Sequence, residues 1–186
     1  MNTVIIYGDK KNNLLKNNLI RILKENNSIH IFEDNSIISD GIGESINLIF
    51  TNNLKLINVK NAIIIIGINA KVHNIKYINR SSKIIVNAND SKQIMKLSKM
   101  STKIYTCGFS SKDYVTFSSR NNDTAVVSLQ RSVQLSKTEY CEPFEIPCII
   151  ENEISDYFIL SSVLSLILLK NLNENISCEL TKIYFS

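Results

Sequence analysis

Asn87, Asn89 and Asp90 follow directly on the β-branched run Ile84-Ile85-Val86. An asparagine carries a donor and an acceptor on one planar amide, which suits the edge of an adenine, and a neighbouring carboxylate suits a ribose hydroxyl. The same residue types also turn a chain and cap the helix after it. Asn87 and Asp90 are therefore candidates for nucleotide contact or for turn and cap, and both roles are open at this point. Lys10 and Lys11 form the second candidate. They follow the apolar run Val4 to Tyr7 and the pair Gly8-Asp9, where an α/β nucleotide-binding protein carries its phosphate loop. Cradling phosphates takes several glycines with accessible amides, plus a lysine and a Ser or Thr for magnesium. The stretch YGDKKNNLLKN has one glycine and no G-K-[ST], so Lys10 and Lys11 either touch an anion or decorate a solvated turn. A phospho-receiver built on Asp9 is rejected, because the strand Ala62 to Ile66 ends in Gly67 and not in an acid.

Arg131 is a third candidate. In Ser128-Leu129-Gln130-Arg131-Ser132, strand alternation places Ser128 and Gln130 on one face and Arg131 on the other. A guanidinium there can clamp a carboxylate or phosphate, or simply sit exposed at a sheet edge. Cys107 precedes Gly108 at a strand end, but no histidine or clear cation lies near it in sequence to activate it. It reads as an inert buried thiol. His30 and His73 are the only histidines, and no Ser-His-Asp arrangement can be built on them. Cys107, Cys141, Cys148 and Cys178 form no C-x-x-C pair, so no metal site is expected.

The elements that would position these residues alternate along the first part of the chain. Val4 to Tyr7, Ser28 to Phe32, Asn47 to Phe50 and Ala62 to Ile66 read as strands, and a helix is expected from about Asn12 to Glu25. A polar turn region follows around Glu33 to Asn35, and Gly41 to Glu44 reads as a loop. Lys83 to Gly108 reads as strand, short helix over Ser91 to Met100, and strand over Lys103 to Cys107, which is one crossover of a parallel sheet. Ligands of such sheets collect beyond the carboxyl ends of the strands. After Gly108, Tyr114 to Ser118, Ala125 to Val133 and Phe144 to Ile150 alternate as antiparallel strands do. Pro143 and Pro147 place their segment at an edge or bulge. Ile154 to Leu169 reads as a buried packing helix and Cys178 to Phe185 as a final strand. The expected fold class is α/β: a mainly parallel, Rossmann-like three-layer sheet of five or six strands, a C-terminal antiparallel extension and one long packing helix. Residues 1–186 are expected to form one domain, parallel over 1–108 and antiparallel plus helix over 109–186.

Composition narrows the function classes. With 186 residues, 44% hydrophobic and 20% charged, the chain is globular in make-up and long enough for one ordinary core. The net charge of +4 is mild, and its lysines are scattered without an aromatic-basic stripe, so no nucleic-acid partner is expected. No segment has the length of a membrane span. MNTVIIYGD lacks the layout of an export signal, which points to the cytoplasm and to reduced thiols.

One stretch resembles a known family. Val86-Asn87-Ala88-Asn89-Asp90, a helix, Tyr105-Thr106-Cys107-Gly108 and then Asp113-Tyr114-Val115 are similar to the end of the central domain in the Mur peptide ligases and their folylpolyglutamate synthetase relatives. That pattern runs V-x-N-x-D-D-P, a short helix, a strand ending T-[FY]-G, and a D-V step. The resemblance implies their fold and places Asn87, with Asp90, at the adenine of ATP. It also marks departures: the family's G-x-x-G-K-[ST] loop is missing after the first strand, as are the acidic strand end and the His-containing segment that hold magnesium. The family's separate amino- and carboxyl-terminal domains are expected to be lacking too. ATP-dependent amide-bond formation is therefore not expected, since phosphoryl transfer depends on those cationic and metal-binding parts. The expectation is a degenerate, non-catalytic Mur-ligase-like domain of a bacterial protein, binding a protein partner or a second copy of itself in a cell-wall setting and using no cofactor. The alternatives are a protein that binds ATP or ADP without turnover, and a small enzyme of unrelated chemistry.

Overall fold

The computed structural model describes residues 2–8, 13–170 and 183–185. Lys10, Lys11, Cys178 and most of the expected final strand lie outside the described residues. The chain divides into two compact units, Met1–Tyr105 and Thr106–Ser186.

The first unit is built from β1 (Asn2–Tyr7), α1 (Asn13–Lys24), β2 (Asn27–Glu33), β3 (Ser36–Asp40), β4 (Glu44–Thr51), β5 (Leu56–Ile57), β6 (Ile63–Ile66), β7 (Tyr77–Ile78), β8 (Lys83–Asn87), α2 (Ser91–Leu97) and β9 (Lys103–Cys107), whose last residues belong to the second unit. Its sheet runs in the order β3-β2-β4-β1-β6-β8-β9. The pairs β1–β4, β1–β6, β2–β4 and β6–β8 are parallel. Ile63 to Ile66 are all buried, as expected of a strand covered on both faces.

Two expectations for this half are corrected. The segment after β2 is not just a turn before a loop: Asp34-Asn35 closes a hairpin, and β3 pairs antiparallel with β2 from Glu33↔Ser36 to Ile29↔Asp40. Ser36-Ile37-Ile38-Ser39-Asp40 carries no strand signal because it buries neither face and so shows no alternation. Strands and helices also do not alternate throughout. The crossovers from β4 to β6 and from β6 to β8 contain no α-helix. Between Thr51 and Ile63 the chain is short for a helix with two loops. These crossovers instead supply β5 and β7, paired parallel to each other, and a 3-10 turn at Val72–Asn74. Ile57, Val72, Ile75 and Ile78 from them pack with Ile5, Tyr7, Ile64, Ile66, Ile84 and Val86 in one core cluster.

The second unit contains β10 (Val115–Arg120), β11 (Thr124–Leu129), β12 (Val133–Gln134), β13 (Tyr140–Cys141), β14 (Glu145–Ile150), α3 (Asp156–Leu168) and β15 (Ile183–Phe185). β10–β11 and β11–β14 are antiparallel, while β14–β15 is parallel. The fold class is thus α/β as expected, a mostly parallel sheet with antiparallel parts. Pro147 does not sit at an edge, because β14 has neighbours on both sides. Ile150 N–H donates to the Asp123 carbonyl at 2.9 Å, so alternation turns the Pro147 nitrogen away from β11.

α3 is buried along its whole length from Tyr157 to Leu168. No helix among the described residues is long and apolar enough to cross a membrane. Its serines are accommodated unequally. Ser161 and Ser165 hydroxyls donate back to the carbonyls of Phe158 at 3.2 Å and Ser162 at 2.7 Å, whereas the Ser162 hydroxyl is buried with no hydrogen-bond partner among the described residues. Ser162→Ala removes that stranded group and raises helix propensity, so it should stabilise the fold by about 1 kcal/mol. Ser165→Ala, which removes a made bond, should not. Urea unfolding of the two variants checks the contrast.

Candidate functional site

Parallel pairing brings the carboxyl ends of β1, β4 and β6 level: Tyr7 lies beside Thr51 and beside Ile66. The first residues beyond them close this edge. Gly8 N–H donates to the Thr51 carbonyl at 3.0 Å, and Gly67 N–H donates to the Tyr7 carbonyl at 2.7 Å. Gly8 has a φ of +98°, and a Cβ there would lie 2.4 Å from the Ala70 Cβ and 2.5 Å from its Cα. Gly8 is therefore required both for its left-handed backbone and for the close approach of the 67–71 loop. The buried Tyr7 hydroxyl donates to the Lys71 carbonyl at 3.2 Å, and burial raises its pKa. The residue that would open a phosphate cradle thus has its amide engaged and Ala70 packed against it. Residues 9–12, which would form the rest of any such cradle, lie outside the described residues.

Asn87 and Asp90 are brought together at the end of β8. Asn87 Oδ1 accepts from Asn89 N–H at 2.9 Å, and its carbonyl accepts from Asp90 N–H at 3.1 Å. Asp90 is the N-cap of α2, its Oδ1 accepting from Gln93 N–H at 2.9 Å. Turn and cap are therefore real roles of these side chains. Asn87 Nδ2 and Asp90 Oδ2 have no partner among the described residues, and both side chains are half-buried.

Gln93 was not among the expected residues. It is 4% exposed, and its Nε2 donates to the carbonyls of Gly67 at 3.1 Å and Ile68 at 3.4 Å. It ties α2 to the end of β6. Met95, on the same short helix, is 62% exposed. The available signal was the i, i+4 spacing of Gln93 and Leu97, obscured by the polarity of glutamine.

In the second unit β11 ends at Leu129, so Arg131 does not occupy a strand face. It is exposed beyond the strand, its guanidinium 5.7 Å from the Tyr114 ring centroid, within cation–π range. The expected neighbourhood of Ser128 and Gln130 is present as a 2.7 Å bond from Gln130 Nε2 to Ser128 Oγ. Cys107, Cys141 and Cys148 are buried and form no disulfide with one another. Burial, then the charge of nearby Asp113, pushes the Cys107 thiol well up, and burial raises Cys148 to about 12. Among the described residues no group of three or more His, Cys, Asp or Glu gathers as a metal site.

No protein-family model matches this sequence, and no curated protein matches it. Solved structures do match. The MurF ligase of Thermotoga maritima in complex with ADP is similar with a TM-score of 0.57 at 11% identity, over 97% of this chain and 48% of that one. The chain has a Mur-ligase-like fold. A murein peptide ligase Mpl from Psychrobacter arcticus 273-4 gives 0.54 at 8% identity, over 91% of this chain and 43% of that one. A UDP-N-acetylmuramoyl-L-alanyl-D-glutamate–2,6-diaminopimelate ligase gives 0.51 at 8% identity, over 91% and 42%. The chain therefore spans less than half the length of each.

Gly8→Ala should destabilise the first unit by about 2 kcal/mol or more, since the new methyl is both strained and blocked by Ala70; denaturant unfolding measures it. Cys107 and Cys148 should resist alkylation in the native protein and react on unfolding, read by mass spectrometry. The raised thiol pKa of Cys148 means that the folded state holds its proton longer than the unfolded state. Its contribution is intact below about pH 9, the unfolded value, and is lost as pH rises towards 12. Unfolding free energy should therefore fall with pH across that window, and Cys148→Ala should flatten the fall.

Proposed function

We propose that this Mur-ligase-like chain is a non-catalytic protein-interaction module, working in the bacterial cytoplasm in a cell-wall setting. The likeness of fold to murein peptide ligases supports the setting. The observation that carries the reading is the closed end of β1, where the Gly8 amide is bonded to Thr51 and Ala70 fills the space beside it. Electrostatic preorganisation around a transferring phosphoryl group needs a cradle of available donors at that place. Meanwhile the edge strand β3 exposes Ile37, Ile38 and, in the loop that follows, Ile42, which is 90% exposed.

A second reading has its own support. Asn87 Nδ2 and Asp90 Oδ2 stand at a strand end, and the similar MurF structure was solved with ADP. In this reading the chain binds ATP or ADP without turning it over. Thermal unfolding with magnesium and millimolar ATP or ADP separates the two. A ligand selective for the native state, present at 100 times its Kd, adds about 2.7 kcal/mol. The interaction module should show no saturable rise in Tm. A saturable rise that disappears in Asn87→Ala would overturn it in favour of nucleotide binding.

A further inference from the structure

β3 is the last strand at its end of the sheet, and natural edge strands are normally protected from pairing. The usual devices are a lysine, a proline, a bulge or a covering segment. Ser36-Ile37-Ile38-Ser39-Asp40 contains no lysine or proline, and its register with β2 is unbroken. Ile37 is 74% exposed and Ile38 48%. Its one charge, Asp40, is met by Lys24 at 2.5 Å, and the bridge lowers the Asp40 pKa.

The hairpin fixes which backbone groups face outward. A two-residue turn closes on a hydrogen-bonded pair, so Glu33–Ser36 is such a pair, and alternation makes Ile31–Ile38 and Ile29–Asp40 the next. The 2.9 Å contact between Ser39 Oγ and His30 Nδ1 fits a pair of the other kind, with side chains close together. The N–H and C=O groups of Ile37 and Ser39 therefore point away from β2. A strand pairing antiparallel here must offer its own outward groups in the same alternation.

We propose that β3 pairs antiparallel with β3 of a second copy of this chain, centred on Ile38. This rests on the interaction reading above and names its partner. In that register Ile37 exchanges two backbone bonds with Ser39 of the other copy, and Ser39 does the same with its Ile37. All outward groups of the strand are then satisfied by a two-fold axis, as an isologous contact requires. Ile38 meets its own copy at the axis as a close, non-hydrogen-bonded pair. Ser36 faces Asp40 of the other copy, a hydroxyl against a carboxylate, so no like charges oppose. The register centred on Ile37 would carry the outer bonds into the turn residue Asn35 and leave Asp40 unmatched. A seam of one short strand lies at or below the low end of specific interfaces, roughly 1,200 Å², so the dimer should be weak and concentration-dependent.

The test is sedimentation of the full chain over micromolar to sub-millimolar concentration, with two variants. Wild type should move from monomer to dimer. Ile38→Lys, which sets two ammonium groups against each other at the axis, should weaken association at least tenfold while melting as the wild type does. In a Cys178→Ser background, Ile38→Cys should give a covalent dimer on oxidation. Opposed Cα atoms there lie about 4.5 Å apart, within the roughly 4.4–6.8 Å that a disulfide accepts. Ile37→Cys should not cross-link, because its nearest copy is a diagonal neighbour at about 7–8 Å. A wild type that stays monomeric, a dimer indifferent to Ile38→Lys, or cross-linking through residue 37 in place of 38 would each overturn the pairing. None of these outcomes touches the broader interaction reading, which falls instead on nucleotide stabilisation.

Discussion

Burial of the isoleucine strands on both faces is the constraint from which the first unit follows. β6 exposes none of its four residues, and its neighbours β1 and β8 are nearly as enclosed. Strands of this kind are satisfied in the middle of a parallel sheet, where chain on both faces keeps water away. Parallel pairing has a directional consequence that antiparallel pairing lacks. Every strand end of one polarity is delivered to the same edge, so Tyr7 comes to lie beside Thr51 and Ile66, and β8 ends at Asn87 on that edge too, whatever lies between them in sequence. The candidate site is a product of that geometry. What the edge can do is then decided locally, by whether the amides beyond the strands face a ligand or one another.

Much of this was legible in the residues, and the exceptions have physical reasons. β1, α1, β6, β8, α2 and α3 announce themselves because burial of one face or both writes a periodic or continuous apolar pattern. β3 was illegible for the converse reason: it buries almost nothing, so its composition obeys no period. The turn and cap at Asn87 to Asp90 could be anticipated from residue type, since short polar side chains compete for nearby backbone groups. The partners of Gln93 could not, because the carbonyls of Gly67 and Ile68 come from a segment 25 and 26 residues earlier and are set by the crossover. The contact of Ala70 with Gly8 belongs to the same class. Only the sequence-local half of that fact, a lone glycine without G-K-[ST], can be seen in the chain.

The strand-end geometry and the edge strand bear on function from opposite directions. At the first, polar groups are largely consumed internally, by Thr51, Tyr7, Gln93 and the 67–71 loop. At the second, backbone donors and acceptors are left over in a regular array. β-strand addition needs little of the sequence beyond an uncovered edge and compatible side chains. That economy suits a chain with five glycines and two histidines.

The helix-free crossovers carry a further consequence, for internal motion. Helices hold their own backbone bonds when they lift from a sheet, whereas the segments after β4 and β6 hold few, chiefly the short β5–β7 pairing and isolated turns. Residues 52–62 and 68–82 should therefore open through small, inexpensive fluctuations. Deuterium uptake would then be faster in residues 52–62 and 68–82 than in β6 itself. The four buried isoleucines would sit still beneath a cover that breathes.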